Sequence, residues 1–153
     1  MRMLPRRRFL SVLAGAAAAP LLVPRQARAA AAESLAPLIT KVTGGAQVRE
    51  GRVKLEIPRL ADNGHSVPLR IVVDSPMTAA SHVRSITLLS ERNPRPLMAA
   101  FHLGPKAGRP EVATRVRLNG TQRVLVLAQL SDGSWWSGSA EVEVTESACL
   151  DAG

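Results

Sequence analysis

Beyond Gly44-Gly45 the chain is cut by Gly, Pro, Asn and Asp into short runs, and within most of them apolar residues recur at every second position. That period belongs to half-buried strands, and the runs are too short for helices. Residues 53–57 (Val-Lys-Leu-Glu-Ile) alternate strictly and stop at Pro58. Asp62-Asn63-Gly64 predicts a turn, 67–73 the next strand, and 82–89 another. Asn93-Pro94-Arg95-Pro96 predicts a loop, since proline removes ladder donors and biases the residue before it away from helix. Residues 97–103 follow, and the 104–108 segment turns the chain. The 112–118 run is half-buried with its charges on one face, and Asn119-Gly120 after it is the strongest short hairpin signal. Residues 124–128 are almost continuously apolar, as a central strand should be. Asp132-Gly133 then turns into a strand over 135–144. About seven strands with this turn chemistry predict an all-β, immunoglobulin-like β-sandwich. Ahead of them, Leu35, Leu38, Ile39 and Val42 have helical spacing, so a short N-terminal helix is expected over 34–42 with Ser34 as its N-cap.

The N-terminus reads differently. Pro5-Arg6-Arg7-Arg8-Phe9-Leu10-Ser11 fits the twin-arginine pattern R-R-x-F-L, and an Ala-rich apolar stretch runs on to Val23. Ala27-Arg28-Ala29 supplies the small residues that a signal peptidase reads. A membrane span needs about 20 apolar residues, and this stretch is shorter and interrupted by Pro20. The expected organisation is therefore a cleaved twin-arginine signal at 1–29, a sandwich domain at 30–145 and a C-terminal arm at 146–153. The expected location is the periplasm, with no membrane span after cleavage. The net charge of +8, from 20 basic and 12 acidic residues, belongs mostly to the signal. Six of the basic residues and none of the acidic ones precede Ala30, so 14 face 12 in the remainder. Nucleic-acid binding loses its electrostatic basis.

Few residues carry candidate chemistry. Asn119-Gly120-Thr121 matches a glycosylation acceptor, but the turn explains the same residues. His65, His82 and His102 lie on or beside separate predicted strands with no ligand spacing. Only four residues follow Cys149, none of them His or Met, so the loop of a blue-copper site is missing. No metal, cofactor or nucleophile elbow is read. Trp135 and Trp136 are adjacent on a strand, so one ring faces the core. The other either packs under a loop or anchors a protein partner.

Cys149 is the only cysteine. In an oxidising compartment a lone thiol is either an intermolecular bridge, here a disulfide homodimer, or a free reactive group. It lies beyond the last strand pattern, in a tail that a sandwich core is not expected to cover. Four residues separate it from Thr145, a reach of about 13–14 Å when extended. Glu146, Asp151 and the terminal carboxylate would raise the pKa of this thiol, not lower it. A tethered thiol without its own activating group suits a carrier whose chemistry is done by other proteins.

The chain also resembles the SoxY family, the sulfur-carrying subunits of the thiosulfate-oxidation (Sox) complex. The resemblance rests on the twin-arginine signal, Val73-Asp74-Ser75-Pro76-Met77-Thr78, and Asn93-Pro94-Arg95-Pro96 leading into Phe101-His102-Leu103-Gly104-Pro105. It continues through Thr114-Arg115-Val116-Arg117-Leu118, residues 122–128, Ser131-Asp132-Gly133-Ser134 and Val142-Glu143-Val144-Thr145. The resemblance implies an immunoglobulin-like fold and a non-enzymatic carrier with Cys149 as the point of covalent sulfur attachment. It also implies a heterodimer with a SoxZ-like subunit, a haem-containing enzyme that couples thiosulfate to the cysteine, and a hydrolase that releases sulfate. The departure lies at the arm. SoxY ends in Gly-Gly-Cys-Gly-Gly, whereas this chain reads Ser147-Ala148-Cys149-Leu150-Asp151-Ala152-Gly153. The rival expectation is a binding or structural partner of another periplasmic redox enzyme, with Cys149 incidental or dimer-forming.

Overall fold

The computed structural model describes residues 35–148. Residues 1–34, which hold the expected twin-arginine signal and the expected N-cap Ser34, and residues 149–153, which include the expected attachment point Cys149, fall outside the described residues. Helix α1 occupies 35–43 and is closed by Gly44 and Gly45, with the Gly45 amide donating to Thr40 O at 3.0 Å. Nine strands follow among the described residues: β1 (Val48–Glu50), β2 (Val53–Glu56), β3 (Leu60–Asn63), β4 (Val67–Val73), β5 (Val83–Ser90), β6 (Leu97–His102), β7 (Glu111–Val116), β8 (Gln122–Leu130) and β9 (Trp135–Glu146). The larger sheet runs β1-β9-β8-β5-β6, with β3 also paired to β9, and the smaller runs β2-β4-β7. This is the expected immunoglobulin-like sandwich.

Strand β8 explains the layering. Val124, Val126 and Ala128 are fully buried against the smaller sheet, in a cluster with Val67, Leu69, Ile71 and Val73 of β4. The alternate residues Leu125 and Leu127 point the other way, into a second cluster with Leu35, Leu89 and Trp135. Helix α1 closes that second cluster with Leu38, Ile39 and Val42. A strand covered on both faces has no polar face to alternate with, so its sequence is a continuous apolar run. Strand β4 is covered on one face only, and there Pro68 and Arg70 alternate with buried Leu69 and Ile71.

Three local expectations change. Strands β1 and β3 carry no alternation, because Val48-Arg49-Glu50 and Leu60-Ala61-Asp62-Asn63 are mostly exposed. They are strands because each pairs in parallel with β9, Val48 opposite Trp135 and Leu60 opposite Glu143. The turn read at Asp62-Asn63-Gly64 therefore starts later, at Gly64-His65, where Asn63 Oδ1 accepts the His65 amide at 2.7 Å. Asn119-Gly120 makes no hairpin. Strand β7 pairs with β4, while β8 already has β5 and β9 on its two edges, so this segment carries the chain from one sheet to the other. Gly120 still adopts a positive φ of 80°, which is the local demand that the Asn-Gly pair signals.

The outer face of the smaller sheet is held by charge. Arg70 donates to both carboxylate oxygens of Glu111 at 2.7 and 2.8 Å and to Glu56 at 3.4 Å, and Lys54 pairs with Glu56 at 2.7 Å. The hydrogen bond and charge of Lys54 hold the Glu56 carboxyl below the usual carboxylate range, and the hydrogen bond from Arg70 does the same for Glu111.

Two outcomes are expected. Leu127→Ala removes the residue between the large sheet and α1 and should cost about 2–5 kcal/mol, read as a lower urea midpoint. For the ion cluster, depressed folded-state pKa values mean stabilisation that is present above the unfolded value near 4.5 and lost as pH falls through the lower folded values. The stability difference between wild type and Arg70→Ala should therefore shrink on titration below pH 4.5, as followed by acid melting curves.

Candidate functional site at the root of the C-terminal arm

Three loops meet where β9 ends. The Gly64 amide donates to Glu146 O at 2.7 Å, the Leu118 amide donates to Gly64 O at 2.8 Å, and the Ala148 amide donates to Leu118 O at 3.1 Å. Leu118 and Ala148 are both completely buried. Beside this relay, Thr121 Oγ1 accepts the Val144 amide at 3.0 Å and Thr145 Oγ1 donates to Asp62 O at 2.8 Å. Ser147, by contrast, is exposed.

A buried polar network supports the crossover from below. The Ser90 hydroxyl donates to Gln122 Oε1, which also accepts the Arg92 amide at 3.1 Å. Asn93 Oδ1 accepts the Asn119 amide at 3.0 Å and Gln122 Nε2 at 3.2 Å, and Asn93 Nδ2 donates to Arg117 O at 2.9 Å. Gln122 and Asn93 are each 9 % exposed or less. Glu91 and Arg123 form an ion pair nearby at 3.0 Å, mostly shielded from solvent. The 93–96 loop read from its prolines is thus tied through Asn93 to the segment that holds the arm.

The expected tail at 146–148 is corrected by this geometry. Glu146 is the last residue of β9, and Ala148 is enclosed where the sequence suggested an uncovered tether. The cause is backbone pairing with two distant loops, which no local pattern in 145–149 announces. Neither Gly64 nor Leu118 stood out in the sequence, although an apolar Leu118 directly before a polar Asn-Gly turn is a signal of a buried foothold.

The other candidates do not converge. His65 is exposed in the β3–β4 turn, His102 is exposed at the end of β6, and His82 Nδ1 lies 3.1 Å from Thr78 O. Among the described residues no three His, Cys, Asp or Glu side chains are placed to hold a metal ion. Trp135 is buried in the second cluster under α1, and Trp136 packs from the other side against the main core. Trp136 is half-buried, with the guanidiniums of Arg49, its partner on β1, and Arg52 lying 5.7 and 5.0 Å from its ring centre. Its indole N–H donates to Ser134 Oγ at 3.0 Å, and that hydroxyl donates to Asp132 at 2.7 Å. The hydrogen bonds from Ser134 keep the Asp132 carboxyl below its ordinary pKa. No helix among the described residues is long and apolar enough to cross a membrane.

The geometry defines an immunoglobulin-like β-sandwich whose last strand continues into a backbone-anchored C-terminal extension. The family model of the sulfur oxidation protein SoxY matches residues 39–149, and the chain belongs to that family. Among solved structures it is similar to the sulfur carrier protein SoxY from Chlorobium limicola f thiosulfatophilum, at 25% identity and a TM-score of 0.65, covering 78% of this chain and 98% of that one. A superoxide reductase (neelaredoxin) from Ignicoccus hospitalis shares the fold at 20% identity and a TM-score of 0.55, covering 61% and 80%. A putative superoxide reductase from Thermotoga maritima does so at 20% and 0.53, covering 68% and 90%. No curated protein sequence matches the chain.

Asn93→Ala should leave the Asn119 amide and the Arg117 carbonyl without their partner, while the Gln122 side-chain amide keeps Gly120 O at 3.2 Å. Each buried orphan costs about 1–3 kcal/mol. The expected result is a lower denaturation midpoint together with faster hydrogen exchange at the Asn119 amide.

Proposed function

We propose that this chain is an exported sulfur carrier, not an enzyme, and that it carries sulfur-oxidation intermediates on Cys149. The observation that carries the reading is the match of the SoxY family model, which runs through the whole sandwich and ends at residue 149, the chain's only cysteine. The likeness to a sulfur carrier protein over nearly all of that protein's length supports it.

The chemistry at Cys149 would run in two steps. The thiol loses its proton, an S–S bond forms to the outer sulfur of thiosulfate, and two electrons pass to a haem-containing partner. Water then cleaves the bond between that sulfur and the sulfonate group. Sulfate and a proton leave, and a persulfide stays on Cys149. In this reading residues 1–29 are the twin-arginine signal and the working location is the periplasm.

A SoxZ-like subunit is the expected standing partner. Strands β6 and β7 each form one edge of their sheet, and a groove of about 470 Å³ lies between them, lined by Leu97, Met98, Ala99 and Val116 together with polar residues such as Thr114 and Arg117. Leu97 is 44% exposed there, one of two large apolar residues so exposed among the described residues. Free edges with apolar surface between them are what a second β protein covers.

Intact mass of the protein purified from the periplasm of thiosulfate-fed cells, with and without reductant, is the test. The expected result is a reductant-labile sulfur adduct on the peptide containing Cys149 that disappears in Cys149→Ser. An unmodified thiol throughout thiosulfate oxidation would overturn the carrier assignment.

A further inference from the structure

The relay at the root of the arm turns on Gly64. A Cβ built on this residue would stand 2.4 Å from Leu118 O, 2.9 Å from the Ala148 amide nitrogen and 3.0 Å from Glu146 O. All three are backbone atoms, so no flexible side chain is there to give way. The φ of Gly64 is not positive, and so glycine is required here for close approach, not for an unusual backbone conformation. The consequence falls far along the chain. Only with a bare Cα at position 64 do Glu146 and Ala148 reach their partners. Gly104 provides the contrast, because a Cβ there meets nothing within 4 Å.

Ala148 adds a second observation. Its methyl group is fully enclosed, at 0 % exposure, and its amide is bonded to Leu118. The anchor thus consists of a backbone hydrogen bond and a fully enclosed alanine, and the next residue in the chain is Cys149.

We propose that Gly64 is a positioning residue for the carrier function: it fixes the point where the arm leaves the sandwich at Ala148, immediately before the cysteine. This rests on the reading of Cys149 as the sulfur attachment point. An arm rooted at Ala148 presents the thiol to a partner with Ser147 and Ala148 already ordered. An arm rooted at Thr145 has those residues to immobilise during the encounter, and fixing even one residue costs enough entropy to weaken it about ten-fold.

The test uses the mature chain, thiosulfate and the haem-containing coupling enzyme of the same organism. Two readouts are followed, the hydrogen exchange of the Ala148 amide and the kcat/KM for sulfur loading of Cys149. Gly64→Ala should abolish protection at Ala148 and lower loading about ten-fold, while Gly104→Ala leaves both unchanged. Ala148→Leu keeps Gly64 but does not fit the enclosed seat, so it should reproduce both losses even if Gly64→Ala fails to fold. Ala148→Gly keeps the hydrogen bond and empties the seat, and should fall between. Protection retained in Gly64→Ala, or protection lost with loading unchanged, overturns the positioning role. Wild-type protein that is never loaded overturns the carrier reading, and the positioning role falls with it. A loaded wild type and an equally loaded Gly64→Ala remove the positioning role alone.

Discussion

The structure depends on β8 being covered on both faces. A strand with Val124, Val126 and Ala128 on one side and Leu125 and Leu127 on the other has no stable place at the surface. It needs the β2-β4-β7 sheet beneath and α1 above, and so it imposes three layers on a chain that reads as a two-sheet sandwich. With β5 and β9 on its edges, β8 is also closed to further pairing. This closure is why the segment after β7 crosses between sheets and does not turn back as a hairpin. The crossover in turn places Leu118 under the end of β9.

What was legible in the sequence follows from where burial is one-sided. Strands β4 and β2 alternate because one face of each meets water, and the pattern marks them almost to the residue. The 124–128 run was recognisable for the opposite reason, since a double-faced strand is apolar throughout. Strands β1 and β3 had no such signature. Val48-Arg49-Glu50 and Asp62-Asn63 are strand residues because β9 offers them a parallel edge, which is a property of the assembled sheet and not of those residues. The Asn119-Gly120 signal was right about a tight turn and wrong about what the turn joins. Turn chemistry reports φ at one residue, and strand pairing is decided elsewhere.

The site divides in the same way. Cys149 drew attention in the sequence because it is unique and close to the end of the chain. The residues that root it did not, because Gly64 and Leu118 lie 84 and 30 positions before Ala148 and act through their backbone atoms. A side chain that functions by its chemistry leaves a mark in composition. A glycine that functions by lacking a side chain leaves a mark only in a distance. The polar network of Ser90, Asn93 and Gln122 is intermediate. Its members are ordinary loop residues in sequence, and burial turns them into a support whose every donor needs its acceptor.

The root of the arm also bears on the altered motif around the cysteine. SoxY-type arms bracket their cysteine with glycine pairs, and glycine gives backbone freedom without filling space. Here Ser147 and Ala148 stand before the cysteine, and Ala148 is completely buried. Burying one methyl group is worth about 0.8 kcal/mol, so the exchange of glycine for alanine favours an anchored arm over a swinging one. Measured from Thr145 the thiol has four residues of reach; measured from Ala148 it has one, a single Cα step of about 3.8 Å. On the carrier reading proposed above, a partner would either offer a shallow active site or draw Ala148 and the end of β9 away from Leu118 and Gly64. The second course costs backbone hydrogen bonds that only new contacts to the arm repay. Leu150 and Asp151, which replace glycines on the far side of the cysteine, are the side chains available to make such contacts. The two departures are therefore coupled. On the carrier reading, an arm held more tightly on one side of its cysteine and carrying larger groups on the other would favour a matched partner over the access to many sites that a glycine arm provides.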